Sequence, residues 1–344
     1  MSGAERNVPA RRIRTMEDFS AASGISRPTL SRFFNDPKSV RPASRIRIQQ
    51  AIERFGYRPN LFATNFNRRN PKTLGIVVPS LMDPFYAGLV QMIERMALES
   101  GYWTVVQNAQ GEPAREAEAV STLMSLNVAG VVIVPLGHAS RRALYREMAA
   151  SLPLVFVDAR TEADGAFVGT DNEQSMGLMV DYLLRAGELP TYFDMPDVNQ
   201  NAEERRRAYE QAMEQRGAIP EVFRIRERNW NFERIAHEEA TRLFRLGAPV
   251  RDAILCANDR IAFGVMAAAT QAGLSLGRQA GLRIAGHDDH PLSRYTCPSL
   301  TTVAQDSERM AKISVELLMQ AIATGTNAKV VHRLEAKLVM RASA

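Results

Sequence analysis

The chain is poor in cysteine and histidine, and it contains no long apolar run. Only two cysteines, Cys256 and Cys297, and five histidines occur among 344 residues. The two cysteines match neither a zinc-ligand nor a redox spacing, which excludes a disulfide-rich or zinc-stabilised fold. No apolar stretch reaches the roughly 18 residues of a transmembrane helix, and the basic N-terminus lacks the apolar segment of a signal peptide. We therefore expect a cytoplasmic protein with no membrane partner.

Charge is distributed unequally along the chain. The first 72 residues contain 15 Lys/Arg and 5 Asp/Glu, whereas the remaining residues contain 28 and 33. A head with ten surplus positive charges on a mildly acidic body is typical of a protein that binds a polyanion through one region. The length predicts two or three domains.

The basic head has the pattern of a helix–turn–helix. Thr15 is placed to cap a first helix, Gly24 to end it in the left-handed conformation, and Ser26 to cap a second helix with Pro28 in its first turn. A third helix, about 43–55, completes a small core. The second helix of such a motif presents its start to the major groove of DNA. The alternative is a plain helical hairpin with a solvated basic face.

From Thr73 onward, short apolar runs alternate with amphipathic helices, which indicates parallel βαβ units with helices on both faces of a sheet. The predicted strands are 74–78, 103–106, 131–134, 154–157, a weak one near 191–195, 253–256 and 282–285, and the predicted helices include 85–100, 114–126 and 173–186. Because the pattern restarts after 169–172, we expect two lobes of similar size with a ligand cleft at the carboxyl ends of the strands.

Several short motifs occur in a fixed order, and together they resemble the LacI/GalR family of bacterial transcription regulators. They are Tyr57-Arg58-Pro59-Asn60, Asp83-Pro84-Phe85-Tyr86, Ala129-Gly130-Val131-Val132, Val157-Asp158, Ala257-Asn258-Asp259, Gly286-His287-Asp288-Asp289 and Ser299-Leu300-Thr301-Thr302-Val303. The resemblance implies an N-terminal all-α helix–turn–helix headpiece and an α/β body of two doubly wound parallel-sheet lobes, similar to periplasmic binding proteins. It also implies a homodimer or a homotetramer.

The expected organisation has four parts. They are a basic arm (1–14), the helix–turn–helix domain (15–59), a hinge helix and linker (60–72), and an effector-binding and dimerisation domain (73–344). Within that domain we expect lobe 1 at about 73–168 and 306–328, and lobe 2 at about 169–305 and 329–344. The helices near 85–100 and 307–324 are candidates for the dimer interface, although apolar spacing in the second also fits an intramolecular role. The chain carries no long heptad repeat after Val339, which favours a dimer over a zipper-held tetramer.

The resemblance assigns DNA contacts. Arg27, Pro28 and Arg32 occupy positions that read base edges, where arginine can bond guanine bidentately; generic phosphate binding is the alternative for both arginines. Thr29, Ser31 and Asn35 are predicted phosphate contacts. Hinge residues Asn60, Ala63 and Phe66 are predicted to meet the minor groove. The family usually places a leucine wedge where this chain has Phe66, which can itself intercalate or pack against the hinge of its partner.

A sugar-like ligand needs planar polar groups for its hydroxyl pairs and an aromatic surface for its C–H face. Asp158 and Asp288 follow predicted strands, Arg205 begins a helix, and Asn258 follows 255–257. These residues match family positions that hold effector hydroxyls, Gln305 lies on a crossover strand, and Phe85 and Trp230 match aromatic positions. The alternatives are turn caps for the two aspartates, Arg206 or Arg207 in place of Arg205, and a core role for Trp230.

Other function classes fit less well. His287-Asp288-Asp289-His290 superficially suggests a metal site, but no nucleophile elbow or phosphate-binding loop accompanies it, so we expect no catalytic residue, metal or cofactor. A secreted sugar receptor would lack the basic head. The sequence therefore predicts a repressor of sugar or related carbon-source genes that binds a palindromic double-stranded operator and is released by a small-molecule effector. The alternative is a regulator that needs a purine, amino sugar or phosphosugar as corepressor.

Overall fold

The computed structural model describes residues 13–58, 71–137, 140–161, 165–246, 251, 253–278 and 281–344, with the side chain of Asn35 left out. The chain divides into two compact units after Pro71. Among the described residues, no helix combines the length and the apolar character needed to cross a bilayer.

The first unit is a three-helix headpiece. It contains α1 (Met16–Ser23), α2 (Arg27–Asn35), a short 3₁₀ turn (Pro37–Ser39) and α3 (Pro42–Phe55). Thr15 caps α1 in a reciprocal capping box with Asp18, and Gly24 ends α1 with φ +65°, as the sequence predicts. Ser26 precedes α2 but makes no side-chain bond to the helix backbone. Instead its hydroxyl lies 2.8 Å from the hydroxyl of Thr29.

An aromatic core holds the headpiece helices together. Phe19, Leu30 and Ile48, one from each helix, are completely buried. The Phe19 ring stacks on Tyr57 at a centroid distance of 4.2 Å. Because all three helices bury a face in this core, the outer face of α2 keeps a defined orientation.

Lobe 1 of the second unit is a six-stranded parallel sheet with helices on both faces. Its strands in spatial order are β11 (Val331–Leu334), β5 (Ala166–Thr170), β4 (Leu154–Val157), β3 (Gly130–Ile133), β1 (Thr73–Val78) and β2 (Trp103–Asn108). Its helices are α4 (Pro84–Glu99), α5 (Pro113–Ser125), α6 (Arg142–Ser151) and α11 (Ser307–Thr324). One apolar cluster packs α4 and α11 against the sheet, and a second packs α5 and α6 against the opposite face.

Lobe 2 is built around a four-stranded parallel sheet. The order is β7 (Val222–Phe223), β6 (Pro190–Phe193), β8 (Ala253–Cys256) and β9 (Arg283–Ala285). Four helices pack around it: α7 (Asn172–Arg185), α8 (Gln200–Gln215), α9 (Phe232–Arg245) and α10 (Asp259–Gln271). A small antiparallel pair, β10 (Thr302–Ala304) and β12 (Lys337–Val339), lies beside them.

The architecture of two parallel-sheet lobes is confirmed, but one lobe boundary is wrong. The sequence places all of 329–344 in lobe 2, whereas Val331 to Leu334 pair with Phe167 to Thr170 in the lobe 1 sheet. The strand is at a sheet edge and carries polar residues with an exposed–buried alternation, so its apolar pattern is weak. The chain therefore crosses to lobe 2 only after Leu334.

Helix α11 has an intramolecular packing role. Met310 is buried in the lobe 1 cluster, and Ala321 is buried as well. Ile313 and Leu317 are partly buried against the same cluster. The apolar spacing of this helix is thus explained within one chain, and its predicted part in a dimer interface stays a prediction.

Candidate DNA interface and ligand cleft

The outer face of α2 exposes the predicted base-reading residues. Arg27, Pro28 and Arg32 are all exposed, whereas Leu30 and Phe33 of the same helix are buried. Thr29 and Ser31 are partly exposed on the same helix. The structure therefore brings five of the six predicted headpiece contacts to the surface of one helix, and the side chain of Asn35 lies outside the described residues.

The sequence does not predict one contact made by Arg27 of α2. Nη2 of Arg27 lies 3.0 Å from Oε1 of Glu17 on α1, and the two side chains are 67% and 58% exposed. This pair is in water, so it leaves Arg27 available to a nucleic acid. The predicted hinge residues Asn60, Ala63 and Phe66 fall outside the described residues.

In the second unit, a cleft between the lobes gathers polar groups from the carboxyl ends of the strands. Asp158 follows β4, Asn258 follows β8 and Asp288 follows β9, while Arg205 projects from the first turns of α8. The described residues that line this cleft are Asp83, Phe85, Tyr86, Asp158, Met195, Asn199, Asn201, Arg205, Trp230, Phe232, Asn258, Asp288 and Gln305. All seven predicted effector-binding residues are among them. Parallel sheets place ligands at this edge.

Asp158 is a buried acceptor held by lobe 1. It is 5% exposed, and the hydroxyl of Tyr86 donates to its Oδ2 at 3.1 Å. Burial raises the pKa of the Asp158 carboxyl to about 6; the nearby negative charge of Asp288 adds to the rise and Arg205 opposes it. Its backbone has φ +61°, an unusual conformation for a residue with a side chain and one that concentrates at functional sites. Among the described residues, its side chain bonds to Tyr86, which lies on α4 and not in the turn that follows β4.

Asp288 is the opposing acceptor, on lobe 2. Its Oδ1 accepts from Gln305 Nε2 at 2.7 Å and lies 2.8 Å from His287 Nδ1. Burial alone would raise the pKa of this carboxyl, but Arg205 and the hydrogen bonds from His287 and Gln305 hold it below its ordinary value. Its φ of +114° again marks a constrained backbone.

Arg205 supplies the buried cation of the cleft. Its Nη2 lies 3.2 Å from Oδ1 of Asp288, Nε donates to Asn172 Oδ1 at 3.2 Å and Nη1 to the Ala257 carbonyl at 2.9 Å. The alternatives do not reach the cleft. Arg206 pairs with Asp194, and Arg207 pairs with Glu203 at the surface. Arg205 is therefore the arginine that serves the cleft.

Asn258 and Gln305 have structural as well as cleft-facing roles. The side-chain oxygen of Asn258 caps α10 by accepting from Ile261 N at 2.8 Å. Gln305, between β10 and α11, bridges Asp288 of lobe 2 and Thr170 of lobe 1. Both side chains are thus fixed in place before a ligand arrives, which favours selective binding.

An aromatic surface closes one side of the cleft. The centroid of the Trp230 ring lies 6.3 Å from that of Tyr86 and 5.6 Å from that of Phe232. The ring centroids of Phe85 and Tyr86 are 5.2 Å apart. Trp230 also packs against the cores of both lobes. A Cβ at Gly111 of lobe 1 would come within 2.6 Å of the Trp230 ring. The indole therefore combines the core role with the cleft role, and Gly111 is needed for its close approach.

One ion pair that joins the two lobes is not predicted by the sequence. Nη1 of Arg260 on α10 lies 3.1 Å from Oδ2 of Asp83 at the start of α4, with the two side chains 13% and 11% exposed. The same guanidinium binds both carboxylate oxygens of Glu233 at 2.6 Å. In the sequence Asp83 is visible only as part of a motif. No local pattern relates it to Arg260, which is far away in the chain.

Two asparagines extend the polar network behind the cleft. Asn201 donates to the Asp158 carbonyl at 3.2 Å across the lobes, and Asn172 donates to Asn201 Oδ1 at 3.0 Å while accepting from Arg205. The sequence predicts a role in the cleft for neither asparagine.

The His287–His290 segment is divided among separate partners. His287 is buried between Asp288 and Ser175, Asp289 pairs with Arg341, and the His290 ring packs edge-on against Phe263. Within the described ranges, no group of three or more His, Cys, Asp or Glu side chains is placed to hold a metal ion.

Two family models cover the headpiece and much of the body. A model described as "Bacterial regulatory proteins, lacI family" matches residues 15–60, and one described as "Periplasmic binding protein-like domain" matches residues 180–344. The chain belongs to the LacI/GalR family of transcription regulators. As a LacI/GalR regulator it is a DNA-binding protein, and the helix–turn–helix is its DNA-binding part.

Individual relatives align over nearly the whole regulator. The ribose operon repressor of Escherichia coli K12 is 27% identical over 318 residues, 91% of this chain and 94% of the relative. The transcriptional regulator GntR of the same strain is 25% identical over 307 residues, 89% and 91% of the two chains. A crystal structure of the Lac repressor dimer bound to operator and the anti-inducer ONPF has a TM-score of 0.82 and 25% identity, covering 96% of this chain and 98% of that one.

Proposed function

We propose that this regulator represses genes for the use of a sugar or related carbon source and leaves its operator when a small-molecule effector enters the cleft. It acts in the cytoplasm as a homodimer, with two headpieces on a palindromic operator. Support comes from the basic head, the exposed arginines of α2, the family membership and the alignment with a ribose operon repressor.

The observation that carries the effector proposal is the set of groups that converge in the cleft. Asp158 and Asp288 offer carboxylate oxygens from opposite lobes, Arg205 offers a guanidinium between them, and Trp230 with Phe85 offers ring surface. Paired hydroxyls bind such planar groups, and the C–H face of a pyranose or furanose packs on aromatic rings. A polyhydroxylated ligand fits this chemistry better than an apolar one.

Coupling then follows from the position of the ligand between lobes. A ligand that contacts both Asp158 and Asp288 favours the lobe arrangement in which both are within reach, so it shifts the equilibrium between two states of the body. To move operator occupancy decisively, the effector must prefer one state by roughly 5 kcal/mol. Arg27 and Arg32 read base edges in this proposal, and Thr29, Ser31 and Asn35 position the helix on phosphates.

The test is an operator-binding assay with the full chain. DNA from upstream of its own gene is titrated with protein at several salt concentrations, with and without single sugars. We expect salt-sensitive, site-selective binding that a cognate sugar weakens. Arg27→Ala is expected to reduce discrimination between operator and mutated operator by about tenfold or more, whereas Arg242→Ala, an exposed arginine of the body, leaves it unchanged.

Two outcomes would contradict the proposal. An equal loss of affinity for all DNA sequences in Arg27→Ala would remove base reading by that residue and leave phosphate binding. A ligand that tightens operator binding would identify a corepressor and reverse the direction of regulation.

A further inference from the structure

The charges that surround the cleft restrict the class of effector, an inference that rests on the proposed function. Three carboxylates, Asp83, Asp158 and Asp288, line the cleft, whereas Arg205 is the single cation among its described lining residues. A ligand with its own charge would meet this imbalance directly, because charges interact strongly in a partly dry site.

The positive charge of Arg205 is already committed to the protein. All three of its nitrogens contact protein acceptors: Nε the side chain of Asn172, Nη1 the carbonyl of Ala257, and Nη2 the carboxylate of Asp288. The side chain is only 5% exposed. These contacts use three of the five guanidinium N–H groups, and the Asp288 carboxylate already offsets the positive charge.

The second arginine near the cleft is neutralised as well. Arg260 is bound by both oxygens of Glu233 at 2.6 Å and by Asp83 at 3.1 Å, so two carboxylates share one guanidinium. The nearby histidines add no positive charge at neutral pH, because burial lowers the pKa of His287 to about 4 and that of His290 below its ordinary value.

Asp158 is left as the carboxylate without an ion-pair partner in the described part of the cleft. Its side chain accepts a hydrogen bond from the hydroxyl of Tyr86 at 3.1 Å, a neutral donor. Burial raises the pKa of Asp158, Arg205 lowers it and Asp288 raises it, so the cost of burying a charge outweighs the attraction of the nearby guanidinium.

We propose that the cleft selects an uncharged polyhydroxylated effector and discriminates against the same sugar bearing a carboxylate or phosphate, with Asp158 as the specificity-determining residue. Asp158 accepts a hydroxyl of the neutral ligand and repels an anionic group placed beside it. Discrimination by repulsion of the wrong ligand is a recurrent source of selectivity.

The test compares neutral sugars with anionic derivatives that keep the same ring. The full-length protein is titrated calorimetrically with D-glucose, D-glucuronate and D-glucose 6-phosphate, with the corresponding galactose series, and with D-ribose and D-ribose 5-phosphate. In each series that binds, we expect the neutral member to bind at least about tenfold more tightly than its anionic counterparts. Asp158→Asn, which keeps shape and one acceptor oxygen, is expected to narrow that ratio to a few fold. Asp181→Asn, a surface carboxylate on α7, is the matched control and keeps the full ratio.

The outcomes separate this inference from the proposed function. Tighter binding of a uronate or a phosphosugar than of its neutral partner overturns the inference, and release of the operator by that anion at the same time would leave the proposed function intact. Failure of every neutral member to bind also overturns it. If Asp158→Asn does not fold, the ratio of neutral to anionic affinity in the wild-type protein decides whether the cleft discriminates against anions. An unchanged ratio in a folded Asp158→Asn removes Asp158 as the selecting residue.

Discussion

Two arginine ion pairs, one in each unit, have almost the same length and different surroundings. Arg27 and Glu17 in the headpiece are 3.0 Å apart with side chains 67% and 58% exposed. Arg260 and Asp83 in the cleft are 3.1 Å apart with side chains 13% and 11% exposed. Water screens the first pair, so it contributes little to stability. The second pair is desolvated, and loss of one member leaves a buried charge uncompensated.

This difference matches what each region does. The headpiece must keep its charges in solvent, because phosphates and base edges approach from outside. The cleft must hold its polar groups in fixed positions between two lobes, because a small ligand is enclosed there. An arginine is therefore exposed to solvent in one unit and forms a buried link between lobes in the other.

Removal of Arg260 should produce the largest effect. Arg260→Leu leaves the Asp83 carboxylate buried without its cation, so we expect a loss of about 3–5 kcal/mol in the free energy of unfolding, measured by urea denaturation. The control is Arg234→Leu, which removes an exposed arginine paired with Glu227 and Glu238, and its effect on the free energy of unfolding should be far smaller because water screens these pairs. Equal losses in the two variants would contradict the distinction between the pairs.

The buried acceptor Asp158 should give a pH signature of intermediate size. Its pKa of about 6 in the folded protein lies above its ordinary value of 3.8, so between these values the folded state binds a proton that the unfolded chain does not. Stability relative to Asp158→Asn, which does not titrate, should therefore rise as pH falls from 6 to 4, by roughly 2–3 kcal/mol.

Thermal or urea unfolding of both proteins at matched pH values measures this difference. A difference that is flat across this range would show that Asp158 titrates at its ordinary value, and one that falls toward low pH would show that its pKa is lowered by folding.

The smallest effect is expected in the headpiece. Glu17→Gln should change the free energy of unfolding by less than about 1 kcal/mol. Because this substitution removes a negative charge beside α2, the affinity of the protein for any DNA should rise a few fold at low salt and less at high salt. An operator titration at two salt concentrations measures it, with Glu94→Gln in the body as control. A loss of site selectivity instead would assign Glu17 a part in positioning Arg27.

Local patterns predicted the headpiece well. The cap at Thr15 and the left-handed Gly24 follow from interactions between residues a few positions apart, which a sequence displays directly. The strands of lobe 1 were equally visible where they are continuous apolar runs. The edge strand at Val331–Leu334 was assigned to the wrong lobe because an edge strand needs no such run.

The cleft was predicted in part. Asp158, Asn258 and Asp288 stand where strands end, and the carboxyl ends of parallel strands meet at one edge, so their proximity could be anticipated. The contacts of Arg260 could not be anticipated, because its partners Asp83 and Glu233 belong to other helices and no helix or strand period relates the three residues. Tyr86 was visible within a motif, but its bond to Asp158 depends on how α4 packs beside β4.

The sequence by itself determined the element types, the charged head and the family of this regulator, because these depend on composition, short-range periodicity and ordered motifs. Tertiary structure alone decided which arginine enters the cleft, which charges cancel there, and which side chains link the lobes. Those outcomes depend on distances between residues far apart in the chain and on exclusion of water, and neither quantity exists until the lobes have packed.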